Sequence, residues 1–434
     1  MTLETILGLG LLLTTATKLR LSGAPVGPGE IFLVVWIAAT LVREIRQPGL
    51  LLTPALRHML IFWTLFAIAE SLGTMTALVI GDKHDTGLFL HDVMAYPLVG
   101  TMACMAVLGS DAEARLQRTA RSMTAWGTVL LAPQLAAGWH LIQMPLFDPW
   151  FGDRLEGWST NPNQLAFLCA LLVLAAMHLA DTAVTTRARM ISLACMVVPL
   201  CVGRLTKTDT FTFALIGATA VYGFGKMRIW ITWSSPQPSL RPALAWMLMI
   251  AVPLLLVAGV PFAVRATADS GHLAQGLLKN GGKEATQETD LRLALWREAI
   301  SRGLEARMLG LGPGPHLPIP PDLVAARETE PTLDKGAGHP PVNGTPDFEA
   351  HNTLLDLFTQ GGVLADASLL WLTGMALVRT WRARMAGLTA LLSSLVIFAS
   401  TNLIVREPAF WFGIALCLVA GEATGRALPT GYRS

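Results

Sequence analysis

Apolar stretches about twenty residues long recur along nearly the whole chain, and they constrain its fold more than any other feature. A helix of that length matches the hydrocarbon thickness of a bilayer, where loops and open sheet edges are not tolerated. With 53% hydrophobic and 14% charged residues, the chain has too little charge to cover a soluble protein of its size. We predict an all-α polytopic membrane protein with about twelve transmembrane helices, at 3–17, 29–45, 57–80, 90–110, 119–140, 163–181, 189–204, 209–225, 243–264, 352–378, 386–403 and 408–422.

The connections between these helices differ in charge, and the difference predicts the orientation of the bundle. One alternate set carries sixteen Lys and Arg residues: Arg43, Arg46, Arg57, Arg115, Arg118, Arg121, Arg187, Arg189, Lys226, Arg228, Arg241, Arg379, Arg382, Arg384, Arg426 and Arg433. The short connections of the other set carry eight: Lys18, Arg20, Lys83, Arg154, Arg204, Lys207, Arg265 and Arg406. Because short basic loops stay in the cytoplasm, we predict that both termini are cytoplasmic. The net charge of +2 gives no indication of a nucleic-acid partner.

One long hydrophilic segment interrupts the membrane pattern and predicts the domain organisation. Residues 1–264 would hold the first nine helices, 265–350 an outer loop, and 351–434 the last three helices with a short cytoplasmic tail. Within the loop, Leu293, Trp296, Ile300 and Leu304 recur at helical spacing, which predicts an amphipathic helix with this face on the bundle. The glycine- and proline-rich run 310–315 would end that helix. The first residues lack the basic region of a secretory signal, so the first apolar stretch is expected to be a retained helix.

Polar residues collect on the face predicted to be outside: Arg154, Asn161, Asn163, Lys207, Asp209, Arg265, His351, Asn352, Arg406 and Glu407. Lys and Arg side chains at helix ends often serve only to place their charge among the lipid headgroups. On this face, however, they oppose the charge preference, which favours an anionic ligand. His351 precedes the tenth helix beside Asn352, where an imidazole could act as a general base or could merely cap the helix; the sequence leaves both open.

The sequence contains no recognised metal-binding, nucleotide-binding or nucleophile motif. His84 and His91, with Asp85 and Asp92, could be drawn as a metal site, but no further ligands follow at a recognised spacing. The chain contains no acidic pair of the DxD type, Walker loop or nucleophile elbow. The five cysteines lie in apolar stretches, where they are typical of small core residues. The sequence therefore favours acid–base chemistry without a metal or cofactor.

Four segments, in order, resemble the O-antigen ligase and polymerase superfamily. Ala350-His351-Asn352-Thr353-Leu354, followed by Gly361-Gly362-Val363-Leu364, is similar to its signature. Arg154-Leu155-Glu156-Gly157 with Asn161-Pro162-Asn163-Gln164-Leu165-Ala166, then Arg292 and Trp296, then Gly310-Leu311-Gly312-Pro313-Gly314, resemble its other elements. The chain departs where Thr206-Lys207-Thr208-Asp209 replaces the family's Ser-Arg pair. Lys207 could supply that charge, although without the bidentate fork of arginine, and Arg204 is a nearby rival.

The resemblance implies a GT-C-like glycosyltransferase of the bacterial inner membrane, with its active site facing the periplasm. It would move a preassembled glycan from undecaprenyl pyrophosphate to a hydroxyl group, which in a ligase belongs to the lipid A core. His351 would be the base and Asn352 would orient it. The pyrophosphate would contact Arg154, Lys207, Arg265, Arg292 and Asn163. Direct displacement would invert the anomeric configuration.

Three other functions stay open at this stage. A polymerase would transfer the glycan to another lipid-linked repeat, and a protein O-oligosaccharyltransferase would transfer it to Ser or Thr. The short stretch after the last apolar segment disfavours the second of these. A membrane transporter is the alternative from another class, but its halves should carry matching broken helices, and the mid-helix acids Glu70 and Asp366 stand isolated in the sequence.

Overall fold

The computed structural model describes residues 2–20, 26–46, 52–83, 85–143, 148–233, 292–318 and 348–427. The predicted ninth span, Arg265 and most of the long hydrophilic segment lie outside these ranges. The helices are α1 (Leu3–Leu13), α2 (Pro28–Ile45), α3 (Pro54–Ile80), α4 (Thr86–Ala106), α5 (Ala112–Gly138), α6 (Pro162–Asp181), α7 (Thr186–Leu205), α8 (Asp209–Trp233), α9 (292–305), α10 (Thr353–Arg382), α11 (Ala386–Ala399) and α12 (Pro408–Ala427). A short 3₁₀ turn, Thr17–Leu19, and an antiparallel pair, β1 (Trp150–Phe151) and β2 (Arg154–Leu155), complete the described elements.

Hydropathy predicted the position of these helices well, and a helical membrane protein is confirmed. Each predicted span within the described ranges coincides with a helix. Within those ranges, five helices are long and apolar enough to cross a membrane, namely α3, α4, α6, α7 and α10. The predicted number of about twelve crossings therefore stays a prediction, as do the domain boundaries.

Local sequence fixes where several helices begin. Proline occupies the first turn of α3 and α6, where its missing N–H leaves no bond unmade. Thr53 caps α3 by accepting the N–H of Leu56, and Asn161 caps α6 by accepting that of Asn163. These caps decide where the chain turns from a connection into a helix, at the cavity for Asn161 and at the opposite end of the bundle for Thr53.

Helix α6 lies at the centre of the bundle. The buried share of its most apolar window is 83%, against 17% for α7. Helix α12 packs beside the centre through the buried rings of Trp411 and Phe412. A helix that is apolar all round is stable only inside a large core or in lipid, so α6 is a core helix and α7 presents its apolar surface to the bilayer.

Ion pairs join the helices at one end of the bundle, and a cavity opens at the other end. At one end, which we call the basic end, Arg115 pairs with Glu44 at 3.2 Å and Arg379 with Glu422 at 3.5 Å. Arg118 pairs there with Glu4 at 2.8 Å. At the other end, which we call the cavity end, the connections α1–α2, α5–α6 and α11–α12 meet the first turns of α4 and α10 around a cavity.

Helix α10 is broken at Gly361 and Gly362, and a loop from α9 fills the break. Gly362 has φ 63° and ψ −162°, a conformation that belongs to glycine. The N–H groups of Leu311 and Gly312 donate to the carbonyls of Thr359 and Gln360 at 2.7 and 2.8 Å, and Val363 N–H donates to Met308 O at 3.0 Å. The loop thus supplies the backbone hydrogen bonds that the broken helix has lost.

Helix α9 forms where it was predicted, but its predicted packing face is mostly wrong, since of the four residues only Trp296 packs against the buried Leu295 and Ala299. Leu293, Ile300 and Leu304 are 42%, 46% and 51% exposed, while Leu295 and Ala299 are buried. A Cβ added at Gly303 would lie 2.2 Å from the ring of Phe358 on α10. Small residues let α9 approach its neighbours closely, as at helix interfaces in membranes. The helix therefore turns its small residues towards the bundle and leaves the larger side chains exposed.

Candidate functional site

A cavity of about 560 Å³ opens at the cavity end of the bundle. Its polar wall includes Arg20, His91, Asn163, Glu349, His351 and Arg406, drawn from five separate parts of the chain. Its apolar wall includes Val34 of α2, Met94 and Leu98 of α4, and Phe167 of α6. A cavity with one charged and one apolar wall suits an amphipathic ligand.

His351 lies at the rim of this cavity in a strained backbone conformation. Its φ is 51°, a positive value that few residues other than glycine adopt, although histidine adopts it more often than most. Its ring meets that of Phe348 edge-on, with 5.5 Å between the centroids. Strain of this kind is kept only where the surroundings enforce it, and it is concentrated at functional sites.

The carboxylate of Asp356 enforces that conformation from one turn inside α10. Its Oδ1 accepts the N–H of Ala350 at 2.6 Å and its Oδ2 accepts the N–H of Asn352 at 3.2 Å. The N–H groups of the two residues on either side of His351 are therefore fixed to the first turn of the helix. Asp356 is buried and does not face the cavity, so it is a positioning residue for His351.

Asn352 uses its side chain to cap α10 and to tie it to α11. Its Oδ1 accepts the N–H groups of Leu354 and Leu355 at 3.1 and 3.3 Å, and its Nδ2 donates to Ser400 O at 3.0 Å. These bonds occupy the amide, which supports an orienting role at the helix start.

Arg406 joins three elements beneath the cavity. Its Nη1 donates to Asp92 Oδ1 of α4 at 2.8 Å, and its Nη2 donates to Glu349, two residues before His351. Burial alone would lower the pKa of Arg406, but Glu349 and Asp92 outweigh it and raise that pKa well above its usual value. The guanidinium therefore stays charged and holds α4 against the segment that carries His351.

Two more charged groups on the cavity wall are also paired. Arg20 donates to Glu30 Oε1 at 2.8 Å, and the other oxygen of Glu30 caps the first turn of α2. Burial raises the pKa of Glu407, although Arg406 and a hydrogen bond from Gln164 oppose the shift. A raised pKa keeps this carboxyl protonated to higher pH and so reduces the negative charge at the cavity.

Arg154 and Asn163, predicted from separate motifs, come together at the edge of the cavity. Arg154 Nη2 donates to Asn163 Oδ1 at 2.9 Å and to Thr208 Oγ1 at 3.0 Å, and its Nε donates to Thr206 O at 3.1 Å. Asn163 lines the cavity, and Arg154 stands behind it. Gly157 ends this turn with φ 58°, and a Cβ there would lie 2.0 Å from Gln134 Oε1, so a side chain at 157 would displace the segment.

Lys207, Arg292 and Arg265 are the other residues predicted to contact the pyrophosphate. Lys207 donates to Asp153 Oδ2 at 2.6 Å, and both side chains are more than half exposed. This hydrogen bond lowers the pKa of Asp153. Lys207 is not among the described residues that line the cavity. Arg292 opens the described part of α9, and Arg265 falls outside the described residues.

Sequence reasoning did not single out three residues that the fold brings to the site. Arg20 appeared only as one outward cation, Glu349 carried no motif, and His91 was weighed only as a metal ligand. Their common signal is weak: each is a polar residue at the end of an apolar stretch on the predicted outer face. Within the described ranges, no cluster of three or more His, Cys, Asp or Glu could hold a metal ion.

We expect Asp356→Ala to reduce turnover through His351 while leaving the protein folded. Loss of the carboxylate leaves the buried N–H of Ala350 unpaired, at a cost of about 1–3 kcal/mol, and frees the half-buried N–H of Asn352, so the backbone at His351 is no longer held. Asp366→Asn, a change of a partly buried acid further along α10, is the matched control. Steady-state kinetics should show kcat reduced about tenfold or more in the first variant and little changed in the second. Equal kcat values would contradict a positioning role.

A comparison with known protein families finds a match for part of the chain. Residues 194–370 match the family model described as O-antigen ligase. The match includes His351, Asn352 and the broken part of α10, and it leaves Arg154, Asn163 and Arg406 outside. No curated protein matches the chain significantly.

Proposed function

We propose, from the membership of this chain in the O-antigen ligase and polymerase superfamily and from the cavity beside His351, that the protein is an O-antigen ligase. Members of this family are glycosyltransferase-like enzymes that act on lipid-linked glycans. In the proposed reaction, a preassembled glycan passes from undecaprenyl pyrophosphate to a sugar hydroxyl of the lipid A core. The reaction takes place at the periplasmic face of the inner membrane, and both termini are cytoplasmic.

The observation that carries the proposal is the two-sided cavity. A polyprenyl chain needs an apolar surface that continues into the bilayer, and Val34, Met94 and Leu98 provide one along α2 and α4. Val34 and Met94 are 54% and 47% exposed, so this wall extends to the lipid-facing surface of the protein. The diphosphate would then lie against the polar wall, next to His351.

In the proposed mechanism, His351 accepts the proton of the acceptor hydroxyl as its oxygen attacks the anomeric carbon. The bond to the diphosphate oxygen breaks on the opposite side, and the configuration inverts. Arg154, Lys207, Arg265, Arg292 and Asn163 stabilise the charge that develops on the leaving diphosphate. The positive charge of Arg406, which lies beneath the cavity, adds to this stabilisation. The scheme uses no metal ion, so the assay is run with and without EDTA.

Lipopolysaccharide from a deletion strain tests this function directly. We expect lipid A-core without attached glycan, while lipid-linked polymer accumulates on its carrier. Loss of long chains with a single repeat still attached would instead indicate a polymerase. Failure to build up lipid-linked glycan at the outer face would indicate a transporter. Complementation with the wild-type chain is the control.

The structure gives little support to the transporter alternative. The break in α10 would be the natural place for a transported ion, but loop residues 308–312 already satisfy its backbone groups. Glu70 lies against this break, since its Oε1 would be 2.9 Å from a Cβ at Gly361. Within the described residues no second broken helix faces it, whereas transporters pair such helices between related halves.

A further inference from the structure

His91 faces the same cavity as His351, and a buried carboxylate holds its ring. Its Nδ1 lies 3.0 Å from Asp92 Oδ1, and its side chain is 36% exposed while that of Asp92 is 0% exposed. A carboxylate only accepts hydrogen bonds, so Nδ1 carries the hydrogen of this contact. The other ring nitrogen, Nε2, has no hydrogen-bond partner among the described residues and is left for a ligand in the cavity.

Asp92 is itself fixed, which makes the position of His91 rigid. Its Oδ1 also accepts from Arg406 Nη1 at 2.8 Å. A metal ion at Asp92 would meet the positive charge of that guanidinium, so the arrangement disfavours the metal site considered from the sequence. A carboxylate behind an imidazole instead fixes the tautomer and orientation of the ring, as in hydrolase triads.

Arg406 connects the two segments that carry these histidines. One of its nitrogens binds Asp92 beside His91, and the other binds Glu349, two residues before His351. The two imidazoles thus reach one cavity from different elements, the first turns of α4 and the segment before α10. Displacement at an anomeric carbon can use two such groups, because the nucleophile gives up a proton while the leaving oxygen gains one.

We propose that His91 is a second catalytic residue of this cavity and protonates the diphosphate oxygen that leaves the anomeric carbon. This rests on the proposed function. The acceptor hydroxyl gives its proton to His351, and its oxygen forms the new bond to the anomeric carbon. The carbon–oxygen bond to the diphosphate breaks and its electron pair stays on that oxygen. His91, as the imidazolium whose Nδ1–H bonds Asp92, gives the proton of its Nε2–H to that oxygen and is left neutral. Both histidines regain their starting state by exchange with water after the products leave.

The proposal predicts two ionisations in the pH dependence of turnover. The titratable and charged groups on the cavity around His91 are Asp92 on α4, Arg406 and Glu407, Glu349 and His351, and Arg20 and Glu30. Histidine is the residue type among them that ordinarily titrates near neutral pH. Turnover falls at acidic pH when the base His351 is protonated, and it falls at alkaline pH when the acid His91 has lost its proton.

The test measures kcat between about pH 5 and pH 9, for full-length protein in lipid nanodiscs. The probe is an undecaprenyl-pyrophosphate-linked oligosaccharide with lipid A-core as acceptor. We expect His91→Gln to lower kcat about 10²-fold, to change KM little, and to abolish the alkaline fall. The exposed His140, which stacks on Trp150 away from the cavity, gives the matched control His140→Gln with wild-type kinetics.

Three results would overturn the proposal. A His91→Gln enzyme that keeps the alkaline fall, or whose kcat stays close to the wild-type value, excludes His91 as the acid. A wild-type profile without an alkaline fall excludes it as well, and this measurement does not depend on whether the variant folds. Absence of transfer by the wild-type enzyme would instead refute the proposed function, which separates the two failures.

Discussion

Replacement of His351 by alanine should reduce the rate of glycan transfer by about 10²- to 10⁴-fold, the usual contribution of a general base. The acceptor hydroxyl has a pKa far above neutral, so without a base it attacks as a neutral oxygen. Binding of the lipid-linked donor should be retained, because the cations stay in place. Transfer in nanodiscs gives the rate, and retention of the donor on the immobilised protein gives binding.

The His351→Asn variant distinguishes the loss of the imidazole base from a change in the backbone conformation at this position. Asparagine tolerates the left-handed conformation that His351 adopts at φ 51°, so the loop keeps its shape, but its amide cannot accept the proton. We expect this variant to be as slow as the alanine variant and as stable as the wild type. His140→Ala serves as the control for loss of a histidine at the same end. A fast His351→Asn enzyme would disprove the assignment of the base.

The membrane helices were predictable from sequence because their signal is local. A helix in lipid must satisfy its own backbone and present an apolar surface over about twenty residues, and both requirements can be read from one stretch. In the structure, caps at Thr53 and Asn161 set the first turns of α3 and α6. The prediction of the packing face of α9 failed for the opposite reason, since it depends on a close approach to α10 that the small residue Gly303 permits.

The candidate site was predictable only in part. His351 and Asn163 belong to segments that resemble a known family, and both line the cavity. The roles assigned to the predicted site residues stay predictions. His91 and Arg20 join the cavity because α4 and the α1–α2 connection happen to meet α10 there, and no spacing in the sequence encodes that meeting. The ion pairs of Arg406 show the same limit, since its partners Asp92 and Glu349 lie 314 and 57 positions away.

The broken helix α10 shows most clearly what local sequence leaves undetermined. Two adjacent glycines weaken a helix but do not require it to break. The break exists because the loop 308–312, about fifty positions earlier, donates to the carbonyls of Thr359 and Gln360 and accepts from Val363. Gly73 on α3 makes room, since a Cβ there would lie 2.3 Å from Gln360 O. Three distant segments must agree before this feature forms.

Gly362→Ala should therefore be among the most destabilising single changes in the described part of the chain. An alanine Cβ would lie 2.1 Å from Met308 O, and the backbone at φ 63° and ψ −162° is one that only glycine adopts readily. Relief of the clash would push the α9 loop out of the break and leave the carbonyls of the buried residues Thr359 and Gln360 unpaired. We expect the free energy of unfolding to fall by about 3 kcal/mol.

Gly374→Ala on the same helix is the matched control, because nothing lies within 4 Å of a Cβ at that position. Alanine in a regular helical turn should change stability by less than about 1 kcal/mol. Unfolding of both purified variants, followed by tryptophan fluorescence in increasing denaturant, compares the two changes directly. Since Gln360 and Thr359 lie one turn beyond Asp356, loss of the break would also loosen the first turn of α10 and slow transfer. Equal stability of the two variants would show that the inserted loop does not hold α10 in its broken form.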